Sequence, residues 1–217
     1  MFMLKAQTTQ DLIVEALRAD ITAGRIRPGS PLRQEDLAGR FEVSRIPIRE
    51  ALRRLESEGL VRVFPNRGAF VVQLSPAEIR EITDLRVMVE GDLIFRAVPC
   101  LTDKALARIA ETLEAAERTA ATSAWVEGDR AFHISLYAPA ERPRQLGLAM
   151  SLRTEVERYE VLYQQLPADR PAWLRDHRAI ADACFRRDAE AARSCVAEHV
   201  ASAGAFLINA HEAKLGK

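Results

Sequence analysis

One stretch of the 217-residue chain constrains its folding more than any other: Phe41 to Val72, FEVSRIPIREALRRLESEGLVRVFPNRGAFVV. Ser44 stands where a helix N-cap belongs, and Pro47 falls in the first turn, where a missing N–H costs little. Ile48, Leu52 and Leu55 then recur at helical spacing and mark a buried face. Arg45, Ile46, Arg49 and Arg53 fall on the opposite face. Gly59 ends the helix, and two short strands, Leu60–Phe64 and Ala69–Gln73, flank a turn at Pro65-Asn66-Arg67-Gly68. Leu37, Ala38 and Phe41 belong to a helix just upstream. The pattern predicts a helix-turn-helix with a β-wing, its outer face carrying arginines suited to DNA phosphates and guanines.

The residues are specific enough to name a resemblance. Leu32, Leu37-Ala38, Phe41, Val43-Ser44-Arg45, Pro47-Ile48-Arg49-Glu50-Ala51-Leu52, Leu55, Glu58-Gly59-Leu60-Val61 and then Pro65-x-Arg67-Gly68-Ala69 resemble the GntR family of bacterial transcriptional regulators. That resemblance implies that Ser44, Arg45, Arg49 and the wing tip Arg67-Gly68 contact double-stranded operator DNA. Ile46 departs from a commoner Thr, and Arg33 stands where a helix-capping Ser is frequent.

Charge is distributed in keeping with that expectation. The formal net charge is zero, but residues 1–75 hold 12 Lys+Arg against 9 Asp+Glu, and residues 76–217 hold 19 against 22. The basic end is the expected DNA end, as phosphate binding requires. Three cysteines (Cys100, Cys184 and Cys195) form no even disulfide framework, and MFMLKAQTTQ has no signal-peptide apolar core. Both point to the cytoplasm, and no apolar run is long enough to span a membrane.

Residues 9–23 read as an amphipathic helix that uses Leu12, Ile13, Ala16, Leu17 and Ile21, broken by Gly24 and Arg27-Pro28-Gly29-Ser30-Pro31. Ser75-Pro76-Ala77-Glu78 is a helix start with a capping box. The domain boundary is placed there, giving a DNA-binding domain at 1–74 and a metal- and effector-binding, dimerisation domain at 75–217. The second part reads as helices at about 76–98, 102–122, 124–138, 143–165, 171–187 and 188–214. The expected fold is mainly α: a winged helix-turn-helix followed by an all-α bundle of about six helices.

That bundle carries a second constellation. Asp129 and His133 lie at i and i+4 on one helix face, His177 on a later helix and His199 on the last. One carboxylate and three imidazoles suit a divalent transition metal such as Zn, Ni, Mn or Fe, and facing bundle helices are where such sites are built. An isolated Asp/His pair can equally be a surface ion pair. The order is also similar to the FadR-type ligand-binding domain known as FCD, which follows a GntR winged helix in one subfamily. Its metal-binding branch has an Asp-x2-Phe-His step, matched by Asp129 and His133. It also has a His before Arg-x-Ile/Leu, matched by His177, and a His in the last helix, matched by His199. The resemblance therefore implies all four as ligands. The family's usual Gly-Asn-Pro corner is here Glu141-Arg142-Pro143.

A metal with these ligands carries a net charge of about +1 in what is expected to be a largely apolar cavity, and a small carboxylate or hydroxy acid would complete its coordination. Arg86 either holds the far end of such an effector or pairs with Glu90 at i+4. Arg153, Arg158 and Tyr159 are further candidates, though the arginines can equally serve in ion pairs. His211, near the C-terminus, is expected in solvent; Trp125, Trp173, Cys184 and Cys195 are expected to pack. No phosphate-binding glycine loop and no Gly-x-Ser-x-Gly is present. The function expected is a dimeric transcriptional regulator, a repressor, controlled by a small organic acid at the metal. The alternatives are a regulator that responds to the metal itself and an all-α metal-dependent hydrolase, the latter disfavoured because no adjacent His-Asp pair occurs.

Overall fold

The computed structural model describes the backbone of residues 8–122, 124–163 and 170–215, and their side chains except at 157–163, 170–171 and 213–215. The chain divides after Leu74 into two compact units.

In the first unit, α1 (Thr9–Thr22) opens with a capping box between Thr8 and Asp11. Ile13, Val14, Leu17 and Ile21 are buried, but Leu12, expected on the apolar face, is 54% exposed. Val14 takes its place, because the packed stripe of α1 lies one position around the helix from the pattern read in isolation. After α2 (Gln34–Phe41), Glu42 turns the chain in a left-handed conformation at φ 54°, and α3 (Arg45–Ser57) follows. Ile48, Leu52 and Leu55 of α3 pack with Leu17, Leu37, Leu60 and Val61 into one core. Asp20, at the end of α1, is 7% exposed and is paired with Arg25 and with Arg40 of α2. Its burial is therefore matched by two cations.

The wing is a three-stranded sheet in the order β1-β3-β2: β1 (Pro31–Leu32), β2 (Val61–Phe64) and β3 (Gly68–Val71). Both expected wing strands form, slightly shorter than read. The third, β1, falls in the segment read as a chain breaker. Pro31 lacks an N–H but sits on an edge strand opposite Phe70, where no donor is required of it. Gly29 N–H donates to Val71 O, and Val71 N–H to Ser30 O, so the loop before β1 also joins the ladder. Two residues are too few to show alternation.

The second unit is helical throughout its described residues. α4 (Pro76–Ala97) starts at Ser75, whose hydroxyl accepts from Glu78 N–H while Glu78 accepts from Ser75 N–H, the capping box expected there. α5 (Asp103–Thr119), α6 (Trp125–Tyr137), α7 (Pro143–Tyr163), α8 (Arg170–Phe185) and α9 (Ala189–Leu215) complete a bundle of six helices, with short 3-10 turns after α4 and α6. Phe132, Leu136, Ile180, Val196 and Val200 are fully buried at its centre. α9 lies close along α4: a Cβ on Gly204 would stand 2.3 Å from Thr83 Oγ1, so only glycine allows that approach. At the corner before α7, Glu141 takes φ 52°, the left-handed conformation that the glycine of the Gly-Asn-Pro version would adopt without strain. The corner keeps its turn despite the substitution. His211 is 6% exposed, contrary to expectation, because α9 runs on to Leu215 and holds it against the unit.

Candidate metal centre and nucleic-acid interface

His133 on α6, His177 on α8 and His199 on α9 come together. One ring nitrogen from each lies within 4.8 Å of the others, and all three rings are buried. Asp129, one turn before His133, sets its Oδ1 3.6 Å from His133 Nε2 and 3.2 Å from His177 Nε2. His133 Nε2 and both ring nitrogens of His177 are buried without a hydrogen-bond partner. Buried polar atoms in folded proteins are almost always satisfied, so unpartnered nitrogens on two neighbouring imidazoles, with one ring nitrogen of each histidine turned toward the others, call for an occupant. A divalent metal fits: the donors are three imidazoles and a carboxylate, the set that borderline transition metals take. Trp125 stacks parallel to His177 at 5.8 Å and Phe132 tilts against it at 4.8 Å, fixing that ring from two sides.

The surroundings are not the largely apolar cavity expected from sequence. Arg86 Nε donates to Glu90 Oε1 at 2.7 Å, the pairing alternative for Arg86. Arg153 on α7 donates through Nη1 to Glu90 Oε2 at 3.2 Å and through Nη2 to Asp129 Oδ2. Tyr137 donates its hydroxyl to Glu90 Oε2 at 2.8 Å, and its oxygen lies 3.2 Å from His133 Nδ1. His199 Nδ1 lies 3.4 Å from Asp176 Oδ2. Glu90, Tyr137 and Trp125 were not singled out as site residues by sequence reasoning. Tyr137 continues the i+4 series Asp129, His133, and that spacing is the signal that could have found it. Arg158 and Tyr159 lie outside the residues whose side chains are described.

Charge sets the protonation states. Burial alone would raise the Glu90 carboxyl, but Arg86 and Arg153 outweigh it and hold the group at about 2. Burial likewise opposes ionisation of Asp129, yet the Arg153 guanidinium bonded to it brings it well below the usual carboxylate range. Burial, with Arg153 beside it, depresses His133 to about 3 and burial also lowers His199. These imidazoles therefore stay neutral and able to donate a lone pair in mild acid. The carboxylates Glu90 and Asp129 cancel the guanidinium groups Arg86 and Arg153, so with Asp176 beside His199 a dication would leave the cluster at about +1 and attractive to an anion.

A pH dependence follows for protein stripped of metal. Unfolded histidine takes up its proton near pH 6.5, whereas buried His133 resists until about 3. Between those values the unfolded state binds more protons, so stability is present above about pH 6.5 and is lost as pH falls. Glu90 and Asp129, depressed in the fold, act in the same direction at lower pH. The expected result is a melting temperature that declines between pH 7 and pH 4 in chelator-treated protein. A flat profile would contradict the burial of neutral imidazoles.

At the other end of the chain, Arg45 and Arg49 project from the first two turns of α3 with 66% and 53% of their side chains exposed. Ser44 occupies the N-cap position in an extended conformation, but its hydroxyl makes no capping bond. Arg33 likewise caps α2 by position only. The wing turn places Asn66 at φ 61° and Gly68 at φ 91°, with nothing within 4 Å of where a Gly68 Cβ would stand. Arg67 N–H closes the turn on Phe64 O, leaving its side chain exposed. A cleft of about 260 Å³ is lined by Leu32, Arg33, Gln34, Glu35, Arg45, Gly68 and Ala69, so the start of α3 and the wing tip border one surface.

Comparison with known proteins agrees with both halves of this description. Residues 9–71 match the bacterial regulatory proteins of the gntR family, and residues 81–202 match the FCD domain. The chain is 29% identical over 198 residues to the HTH-type transcriptional repressor RspR of Escherichia coli K12, covering 89% of this chain and 86% of that protein. It is 30% identical over 199 residues to the HTH-type transcriptional regulator BphR of Paraburkholderia xenovorans, covering 87% and 80%. A transcriptional regulator GntR from Rhodococcus has a similar solved structure, with TM-score 0.71 and 27% identity over 93% of this chain and 98% of that one. FCD domains are often metal-binding. Among the described residues no helix is long and apolar enough to cross a membrane.

Proposed function

This chain belongs to the GntR family of bacterial transcriptional regulators, with a C-terminal FCD domain, and from that premise we propose a regulator whose operator affinity is set by a small organic acid at a metal. It is a DNA-binding protein and not an enzyme. Asp129, His133, His177 and His199 hold a divalent transition metal. A small carboxylate or hydroxy acid completes its coordination, drawn by the positive cluster that the ion creates. Arg153 engages Asp129 Oδ2, so Asp129 offers the metal a single oxygen and positions remain for the effector. Ser44, Arg45, Arg49, Arg67 and Gly68 meet DNA, and two copies of the chain bind a two-fold operator in the cytoplasm. RspR is by name a repressor, and repression is the mode extended to this chain.

The observation that carries the reading is the convergence of three buried imidazoles, two of them with ring nitrogens lacking any hydrogen-bond partner. The test is native mass spectrometry of protein purified without chelators, followed by DNA-binding anisotropy with a panel of small carboxylates and hydroxy acids. A metal ion per chain, a dimer mass, and a change in DNA affinity confined to metal-loaded protein are expected. Equal effects of the acid on metal-loaded and metal-free protein, or absence of metal, would sink the mechanism. A response to metal with no acid present would identify the metal itself as the signal.

A further inference from the structure

We infer that Glu90, bonded to Arg86, Tyr137 and Arg153, is the buried anchor that holds both α6 ligands, His133 and Asp129, in metal-binding orientation through Tyr137 and Arg153. The inference rests on the metal reading above and adds the residues that prepare the site.

Glu90 is wholly buried and ionised, so both of its oxygens can only accept. Tyr137, 2.8 Å away, must then donate its hydroxyl proton to Glu90. That leaves only lone pairs on the Tyr137 oxygen facing His133 Nδ1 at 3.2 Å, so His133 must supply the proton there. His133 is thereby fixed as the Nδ1–H tautomer, and its Nε2 presents a bare lone pair toward Asp129 and His177. A ring free to choose would spend part of its population with the proton on Nε2, where it blocks the ion. Orientation of a ligand by the group on its second nitrogen is a general feature of metal sites.

The second arm works on the carboxylate. Arg153 bridges Glu90 Oε2 and Asp129 Oδ2, which turns Asp129 so that Oδ1 faces both imidazoles. Arg86 holds the other Glu90 oxygen and keeps the anchor from rotating. The three helices involved differ from those that bring in His177 and His199. α4 supplies the anchor, α7 the bridge, and α6 the two oriented ligands. For His199 the corresponding partner is Asp176, which faces its Nδ1 from α8.

Tyr137→Phe removes one oxygen and little volume, and Zn²⁺ affinity by competition with a chromophoric chelator is the first measurement. Outer-shell losses of this kind cost about 10- to 100-fold in metal affinity, and that weakening is expected with helix content unchanged. The second measurement needs no variant: long-range ¹⁵N–¹H correlation of metal-free wild-type protein should show His133 as the Nδ1–H tautomer. In Tyr137→Phe it should become a mixture, a change that a purely structural role for the hydroxyl would not produce. Unchanged Zn²⁺ affinity in a folded Tyr137→Phe protein, or an Nε2–H tautomer in the wild type, would overturn the inference while leaving the metal reading standing. Failure of wild-type protein to bind Zn²⁺ at all would instead remove the metal reading and this inference with it.

Discussion

His177→Ala is expected to abolish the thermal stabilisation that a divalent metal gives to the C-terminal unit. His177 is held by Trp125 and Phe132 with Nε2 3.2 Å from Asp129 Oδ1, and neither ring nitrogen has another partner. Of the four proposed ligands it is the one contributed by α8, so its loss would untie that helix from the ion. A ligand that binds the native state alone stabilises by about 2.7 kcal/mol at a hundredfold excess over its dissociation constant. For a unit of this size that corresponds to a rise of roughly 10 °C in melting temperature. The quantity to measure is the difference between metal-loaded and chelated melting temperatures within each protein. The cavity left by the ring lowers both values in the variant and cancels. Wild type should show the full rise and His177→Ala little of it. An equal rise in both proteins would mean that the metal binds elsewhere.

The second large effect is expected at the other end of the chain. The Arg45→Ala, Arg49→Ala double variant should bind selected DNA no better than random DNA. Arg45 spans 2.7 Å to Glu35, and Arg49 lies 3.5 Å from Glu50, but both pairs are exposed. Exposed pairs contribute about 0–1 kcal/mol, so either guanidinium exchanges its carboxylate for DNA at small cost. A bidentate guanine contact contributes about 1–3 kcal/mol, counted twice on a two-fold site. Losing two arginines per half-site therefore removes roughly 4–12 kcal/mol, comparable with the whole gap between specific and non-specific binding. Duplexes enriched by wild-type protein from a random pool supply the substrate, and anisotropy titration at fixed salt gives the affinities. Retention of preference for the enriched duplexes would refute the docking of α3 in the major groove. A uniform loss on all sequences, with a shallower salt dependence, would reassign both arginines to phosphates.

Local periodicity made much of the fold readable. Ile48, Leu52 and Leu55 announce α3, and Ser75, Pro76 and Glu78 announce α4, because both signals are complete within a few residues. What escaped depends on neighbours distant in the chain. Leu12 fits an apolar stripe on paper, but the packed face of α1 turns toward Val14 instead. β1 is two residues long and exists because β3 offers it a ladder. The same division runs through the candidate site. Asp129, His133, His177 and His199 stand out because imidazoles in apolar helix middles are rare and chemically marked. Tyr137 reads as one more core aromatic, and Glu90 as the partner of Arg86. The i+4 spacing from His133 is the one local hint of Tyr137, whereas the meeting of Glu90 with Tyr137 and Arg153 is created by the packing of α4, α6 and α7, to which no local pattern points.

The way α4 begins also constrains how a signal can leave the site. Residues 72–74 are all that separate β3 from the Ser75 cap, and α4 then runs for 22 residues. Between Pro76 and Glu90 it has neither an interior proline nor a glycine, so this segment is a stiff rod about 21 Å long. A rod passes on a rotation undiminished but absorbs no stretch. A displacement of Glu90 would therefore move this segment as one body, carrying any rotation about the helix axis back to Pro76. One residue inserted into the rod would turn its entry point by about 100° relative to Glu90, and seven would bring it back to within roughly 20°. Helical pitch sets the phase between Pro76 and Glu90, so the length of this segment matters in multiples of a turn as well as in distance.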